Sequence, residues 1–410
     1  MTQINYTRNI AGLIVFSFIA AFISQTMTDF ADIIAVSVAL IVAYKNNEIA
    51  DFFKGFHRPV LWIIWLVIIL TGLIINLGFF NIQVWINFIE FKWIITFLSF
   101  IYLVNKVIEP KAFIKNISMP VLILNLISLI LFFYMSEAAR HMGLVHRASG
   151  VLNATMAFSH NIGPVFSLFT VLMFVNWVYY NRNEKILIML VALTSGALTL
   201  LTYTRGVWLG SLVAIIFCLS IWSARRAVQF LLIVLLLGAV LFFTNQNINN
   251  RILNKTASET YSNDSRLALW KANWRMIQDY PVLGVGFGEN KNHLRKYYDD
   301  MGYSADTIIS HAHNQYLQTW AGTGTLGFIC YLAFLYLIFR TTWSGYKIAS
   351  SEDKALFLGL ISALLCFTIG ALTEVNFSIS KNRFFFILLA GVAIGISNRM
   401  ITENKNSFRN

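Results

Sequence analysis

His311-Ala312-His313-Asn314-Gln315-Tyr316-Leu317-Gln318 closes the one long polar interval of this chain and runs without a break into an apolar segment, Trp320 to Phe339. About twenty apolar residues are enough to cross a bilayer as a helix. The junction therefore puts a polar loop at a membrane margin, and it decides the fold class. Followed backwards, the polar interval starts near Asn245; followed forwards, it fades by Gly327. Arg, Trp, Gly and His gather there, so the chemistry is expected there and the rest of the chain is its frame.

The frame is apolar almost throughout. The 410 residues are 57% hydrophobic and only 12% charged, whereas a soluble domain carries about 25% charged residues. Twelve apolar runs stand near residues 10–25, 28–44, 59–78, 85–105, 117–135, 161–180, 185–202, 206–223, 227–244, 316–339, 354–373 and 383–398. They lack the apolar/polar alternation of a barrel strand. The expected fold is all-α: a polytopic membrane protein of about 12 transmembrane helices with one long helical loop outside the bilayer. The fourth run is the weakest, because Glu90 and Lys92 interrupt it. The first, Ile10–Ile23, resembles a signal-peptide core behind Arg8. No small-residue cleavage pattern follows and a second run comes almost at once, so it reads as a retained span. Cys218, Cys330 and Cys366 lie inside apolar runs and read as small core residues rather than a disulfide or metal framework.

The formal net charge is +12. In a soluble protein this would suggest nucleic acid. Here much of the excess sits in short connections such as Lys45, Lys54 and Arg58, Lys106, Lys111 and Lys115, Arg225 and Arg226, and Arg340, Lys347 and Lys354. Short loops rich in Lys and Arg stay on the cytoplasmic side. No nucleic-acid partner is expected; both termini are expected inside and the long loop outside. The chain then divides into helices 1–9 over residues 1–244, a large outer loop with helices over 245–315, and helices 10–12 with a short cytoplasmic C-terminus over 316–410.

The outer cations that this rule leaves unexplained are the candidate ligand-binding groups. Arg147 lies in a mid-sized outer loop. Arg205 stands at the outer end of a span within Thr204-Arg205-Gly206-Val207-Trp208. An arginine at a membrane margin is often a snorkelling anchor, but no acid lies near Arg205 in sequence. Asn263-Asp264-Ser265 reads as a helix start, with a helix from Arg266 to Tyr280 that Pro281 ends. Leu267, Trp270, Trp274 and Ile277 form its apolar stripe, with Arg266 on the side of Trp270 and Asn273, and Lys271 and Arg275 turned away. Gly284-Val285-Gly286-Phe287-Gly288 follows no strand and fits no nucleotide fold; it reads as a tight turn whose backbone can approach a ligand. His311 and His313 admit three readings: satisfied polar residues, a metal pair, or one catalytic imidazole with a bystander. A metal needs a third ligand, and Glu289, Asp299, Asp300 and Asp306 have no diagnostic spacing. Asn314 and Gln318 stand where they would orient the His313 ring, and surrounding arginines would keep it neutral.

These residues resemble the bacterial O-antigen ligases, within a superfamily that also holds O-antigen polymerases and pilin O-oligosaccharyltransferases. The motif is His313-Asn314, nine residues, then Gly324-Thr325-Leu326-Gly327, preceded by the long outer loop with Arg266 and by Thr204-Arg205-Gly206-x-Trp208. His146-Arg147-Ala148-Ser149-Gly150 resembles a recurrent Arg-x-Ser-Gly segment of the family's first sizeable outer loop. The resemblance implies a GT-C-like glycosyltransferase of the bacterial inner membrane with its active site facing the periplasm. It implies transfer of a glycan from undecaprenyl diphosphate to a lipid A–core sugar, inverting and without metal or other cofactor. Carried over by position, Arg205, Arg266 and Arg147 would hold the diphosphate and His313 would be the catalytic base, supported by His311, Asn314, Gln318 and Trp270. One large outer loop favours a ligase over a polymerase; a lipid-linked glycan transporter is the alternative from another class.

Overall fold

The computed structural model describes residues 2–56, 59–107, 109–141, 146–150, 155–175, 179–253, 257–303 and 310–407, and every regular element among them is helical. In a bilayer a backbone must satisfy its own polar groups, and an uncharged run of this length does so as a helix. The first half holds α1 (Thr2–Ile23), α2 (Gln25–Lys45), α3 (Ile49–Lys54), α4 (Pro59–Leu77), α5 (Ile82–Ile89), α6 (Trp93–Val107), α7 (Pro110–His141), α8 (Thr155–Val175) and α9 (Arg182–Leu201). Then come α10 (Arg205–Trp222), α11 (Ala224–Thr244), α12 (Gln246–Leu253), α13 (Ala257–Asp279), α14 (Asn290–Asp300), α15 (Gln315–Ile348), α16 (Ser351–Gly370) and α17 (Ser380–Ser407).

Eleven helices among the described residues are long and apolar enough to cross a membrane, with α5 and α6 counting as one, and the apolar part of α1, Arg8–Ile23, is shorter. Each of the twelve expected runs thus falls on a helix. The interrupted fourth run is broken as Glu90 and Lys92 suggested: a 3-10 turn, Glu90–Lys92, separates α5 from α6. All three cysteines are free, and Cys218 and Cys366 are buried.

Helices α8, α16 and α17 form the most buried part of the bundle, whereas α11 turns most of its surface outward. Without a hydrophobic drive between helices in lipid, close approach depends on small residues. Gly210 of α10 faces Cys366 of α16 so closely that a Cβ there would lie 2.8 Å from the Cys366 carbonyl oxygen. Gly391 of α17 lets Phe100 of α6 approach in the same way, 2.6 Å from the position of its missing Cβ.

The polar interval packs on the end of the bundle where α15 and α17 begin and α9 and α16 finish. Its core is Ala268, Leu269, Ala272, Met276 and Ile277 of α13, with Val285, Leu294, Tyr297, Tyr298 and Ala321. This corrects two expectations. Helix α13 starts at Ala257, so Asn263-Asp264-Ser265 lies inside it. Its buried face is the one carrying the alanines; Leu267 and Trp274 are half exposed, and of the expected stripe only Ile277 is buried. Small residues win that face because α14 and α15 press close to it, and the larger rings are left at the rim.

The glycine turn also has a different use. Gly284, Gly286 and Gly288 all have positive φ, as tight turns require. What approaches their backbone is the protein itself. Val285 N–H donates to the Ala321 carbonyl at 2.9 Å, and Thr325 N–H donates to the Pro281 carbonyl at 2.8 Å. At the contact α15 breaks: Gly324 has φ 64 and ψ −175, and a Cβ there would stand 2.2 Å from the Val282 carbonyl oxygen. Only glycine accepts both that conformation and that approach. The glycine of the His-Asn-x9-Gly motif is therefore the hinge at which the first turns of α15 are held over the bundle.

Candidate functional site

Among the described residues, His313 is one of three non-glycine residues with positive φ, at 47°. Such strain persists only where neighbouring structure imposes it, and it clusters at functional sites. Asn314 follows as the N-cap of α15, its side chain accepting from the N–H groups of Tyr316 at 3.0 Å and Leu317 at 3.1 Å. Gln318 Oε1 accepts from Ala312 N–H at 2.9 Å, tying down the backbone between the two histidines. Asn314 and Gln318 therefore hold the main chain, not the ring as the sequence suggested.

The ring is held by a residue that sequence reasoning missed. Glu374 stands in the turns between α16 and α17 and is 2% exposed. His313 Nδ1 lies 3.0 Å from its Oε1 and 3.1 Å from its Oε2. His311 Nδ1 lies 3.6 Å from Oε1, and Arg266 Nη2 lies 3.9 Å from Oε2. The two imidazoles meet edge to face, with centroids 4.2 Å apart. A single carboxylate thus collects both histidines and the arginine of the long loop. Behind it, buried His160 of α8 places Nδ1 3.3 Å from Asn376 Nδ2. No local signal marked Glu374, which is 61 residues from His313 in the chain.

The electrostatics follow from burial and from these neighbours. Burial alone would raise the Glu374 carboxyl. The hydrogen bond and charge of His313, followed by the charge of His311, outweigh burial and hold the carboxyl down at about 2. Burial pushes His311 below the usual imidazole range, against the pull of Glu374. Arginines were expected around His313; a carboxylate also faces it directly.

Arg205 opens α10, with Thr204 as its N-cap and Tyr203 before it at φ 51. Gly206 brings this turn to the site, because a Cβ at Gly206 would meet Thr373 Oγ1 at 1.8 Å, one residue from Glu374. Arg205 is already engaged within the protein, so the sequence argument from a guanidinium lacking a partner does not hold. Arg147 braces the same turn: its Nε donates to the Thr202 carbonyl at 2.7 Å and its Nη2 to Thr204 Oγ1 at 2.9 Å. Trp270 lines an open groove with Lys271, Trp274 and Arg275. The outward and inward faces drawn for α13 therefore meet along one groove. Its indole Nε1 is buried without a hydrogen bond.

His311, His313 and Glu374 each offer a ligand atom, and these atoms lie within 4.8 Å of one another. The third ligand that the sequence did not locate is thus supplied by the fold, and a metal ion fits the donor set. Of the acids weighed from sequence, Asp306 lies outside the described residues. The structure brings together His311, His313, Arg266 and the Arg205 turn. Asn314, Gln318 and Arg147 stand one step behind, holding backbone.

Fold and site together define a class: a many-span helical membrane protein whose polar centre, at one end of the bundle, joins imidazoles, a buried carboxylate and arginines from distant segments. Residues 190–332 match the protein family described as O-antigen ligase. That family consists of glycosyltransferase-like membrane enzymes. No curated protein gives a match.

Proposed function

We propose that the protein is an O-antigen ligase, moving a glycan from undecaprenyl diphosphate to a lipid A–core sugar at the periplasmic face of the bacterial inner membrane. The observation that carries the chemistry is the His313 ring held through Nδ1 by the buried Glu374 carboxylate, with Arg266 on the same carboxylate. A carboxylate on Nδ1 fixes the tautomer that leaves Nε2 free to accept a proton.

In this reading the acceptor hydroxyl gives its proton to His313 Nε2 as its oxygen attacks the anomeric carbon. The carbon–oxygen bond to phosphate breaks on the opposite face, and the diphosphate leaves with the electron pair. General-base action of this kind contributes about 10²–10⁴-fold. The growing charge on the leaving group needs fixed cations. Arg266 and Arg205 supply them, since a guanidinium stays charged and binds phosphate oxygens in a bidentate fork. Arg147 acts through the Thr202–Thr204 turn that presents Arg205. Membrane lipids surround the spans, and an apolar path between them carries the polyprenyl tail.

The test is transfer by the purified full-length protein in detergent, supplied with lipid-linked glycan and lipid A–core. Glycan on lipid A–core supports the ligase; glycan added only to a second lipid-linked chain makes it a polymerase; transfer to neither ends the reading.

A further inference from the structure

A second polar cavity, of about 210 Å³, opens at the same end of the bundle between α2, the turn after α5, α6 and α17. That volume would hold about seven water molecules. Its lining includes Asp29, Asp32, Glu90, Lys92 and Arg383, beside Trp93 and Thr96. Ionisable groups at a span margin are costly and are kept where they bind or conduct something. Arg383 is only 5% exposed and is fixed by Glu90 at 2.6 Å. Asp32 accepts a short hydrogen bond from Thr96, and Asp29 accepts from Gln25 at 2.8 Å.

The chemistry narrows the ligand. Three acids against two bases leave the wall nearly neutral, which suits neither a phosphate nor a lipid tail. Among the described residues the only three metal-ligating groups brought within 4.8 Å are His311, His313 and Glu374, so these acids do not converge on a cation. Charged acceptors and donors side by side are what a ring of hydroxyls requires, because every hydroxyl both donates and accepts. The cavity is linked toward the reaction centre by shared walls. Arg383 and Trp93 line a second, narrower cavity that reaches Gln315, Thr319 and Ser378. Gln315 N–H donates to the Ala371 carbonyl at 2.8 Å, two residues from His313 and three from Glu374.

We propose that this cavity is a monosaccharide subsite, taking one hydroxylated ring of a substrate glycan next to the ring that reacts. The inference rests on the glycosyl-transfer reading for its substrate, but not for its test. Two oligosaccharides serve as probes: core oligosaccharide and O-glycan, each released from the producing cells by mild acid. Their binding to the full-length protein in nanodiscs is followed by saturation-transfer NMR, which needs no turnover.

Wild-type protein is expected to bind one probe, and Asp29→Asn and Asp32→Asn to weaken that binding about tenfold, since a hydrogen bond to a charged group is worth about 1.5–3 kcal/mol. Ser380→Phe, which fills the cavity without removing a charge, is expected to do the same. Loss of core binding assigns the ring to the acceptor, and loss of O-glycan binding assigns it to the donor. If wild type binds neither probe, or if all three cavity variants bind like wild type while remaining monodisperse, the subsite is wrong. Absence of transfer by wild type that still binds a probe through this cavity overturns the ligase reading alone.

Discussion

His313 Nδ1 lies 3.0 Å from Oε1 of Glu374, a carboxylate on the opposite side of two membrane-length helices in the chain. Their neighbours are joined as well, since Gln315 N–H donates to the Ala371 carbonyl at 2.8 Å. The hinge at Gly324 holds the start of α15, and the turns before α17 bring the acid beneath the ring. Glu374→Gln keeps the volume and removes the charge. It is expected to lower kcat for transfer by about 10²-fold or more, with little change in KM for the donor, because the imidazole loses the group that orients it. An unchanged kcat in that variant would remove Glu374 from the mechanism.

Arg205→Ala and Arg266→Ala are expected to abolish transfer while the purified proteins stay folded. Lysine at either position should restore little, since it offers a point charge and no fork. The measurement is transfer to lipid A–core beside a thermal unfolding trace. Full transfer by both alanine variants would sink the diphosphate clamp.

Gly324→Ala tests the hinge. The alanine must adopt φ 64 and bring its Cβ 2.2 Å from the Val282 carbonyl. Gly302→Ala serves as comparison, because it has φ 74 but meets nothing within 4 Å. Positive φ alone costs about 1 kcal/mol. Gly302→Ala should therefore lower the melting temperature slightly, and Gly324→Ala substantially more, with loss of transfer. Equal effects in the two variants would mean that the contact with the glycine turn carries no stability.

The pH dependence has a definite sign. The Glu374 carboxyl falls from an ordinary 4.5 to about 2 in the folded protein. The unfolded chain therefore binds the proton first, and the stability that this group contributes is present above about pH 4.5 and lost as pH falls toward 2. His311, held below the ordinary 6.5 by burial, acts in the same direction from a higher pH. Tryptophan fluorescence melts should show the midpoint dropping with acid below pH 6.5. Glu374→Gln should flatten the part below pH 4.5; a curve that keeps its full slope there would contradict the pairing.

Chelation separates the two uses of the histidine–carboxylate cluster. Transfer is expected to survive EDTA, with His313 acting as base. Loss of transfer restored by Mg²⁺ or Mn²⁺ would mean that His311, His313 and Glu374 hold an ion.

Several features were legible from residues alone because their causes are local. A run of apolar residues becomes a membrane helix whatever its neighbours are, and Glu90 with Lys92 interrupts one wherever it packs. The span expected from about residue 316 also appears, as α15, whereas the Asn314 cap and the break at Gly324 were not expected. The match to the family described as O-antigen ligase covers the segment from His313 to Gly324.

Tertiary structure alone decided which groups meet. Glu374 lies in a short turn with no motif of its own, and the approach of Gly206 to Thr373, the Gln315–Ala371 hydrogen bond and the bend at Gly324 carry it to the histidines. The buried face of α13 was likewise set from outside, by the closeness of α14 and α15, which favoured alanine over tryptophan. Periodicity records how apolar a face is, but not how near its partner will stand. That distance, and the charges it brings together, belong to contacts made across hundreds of residues.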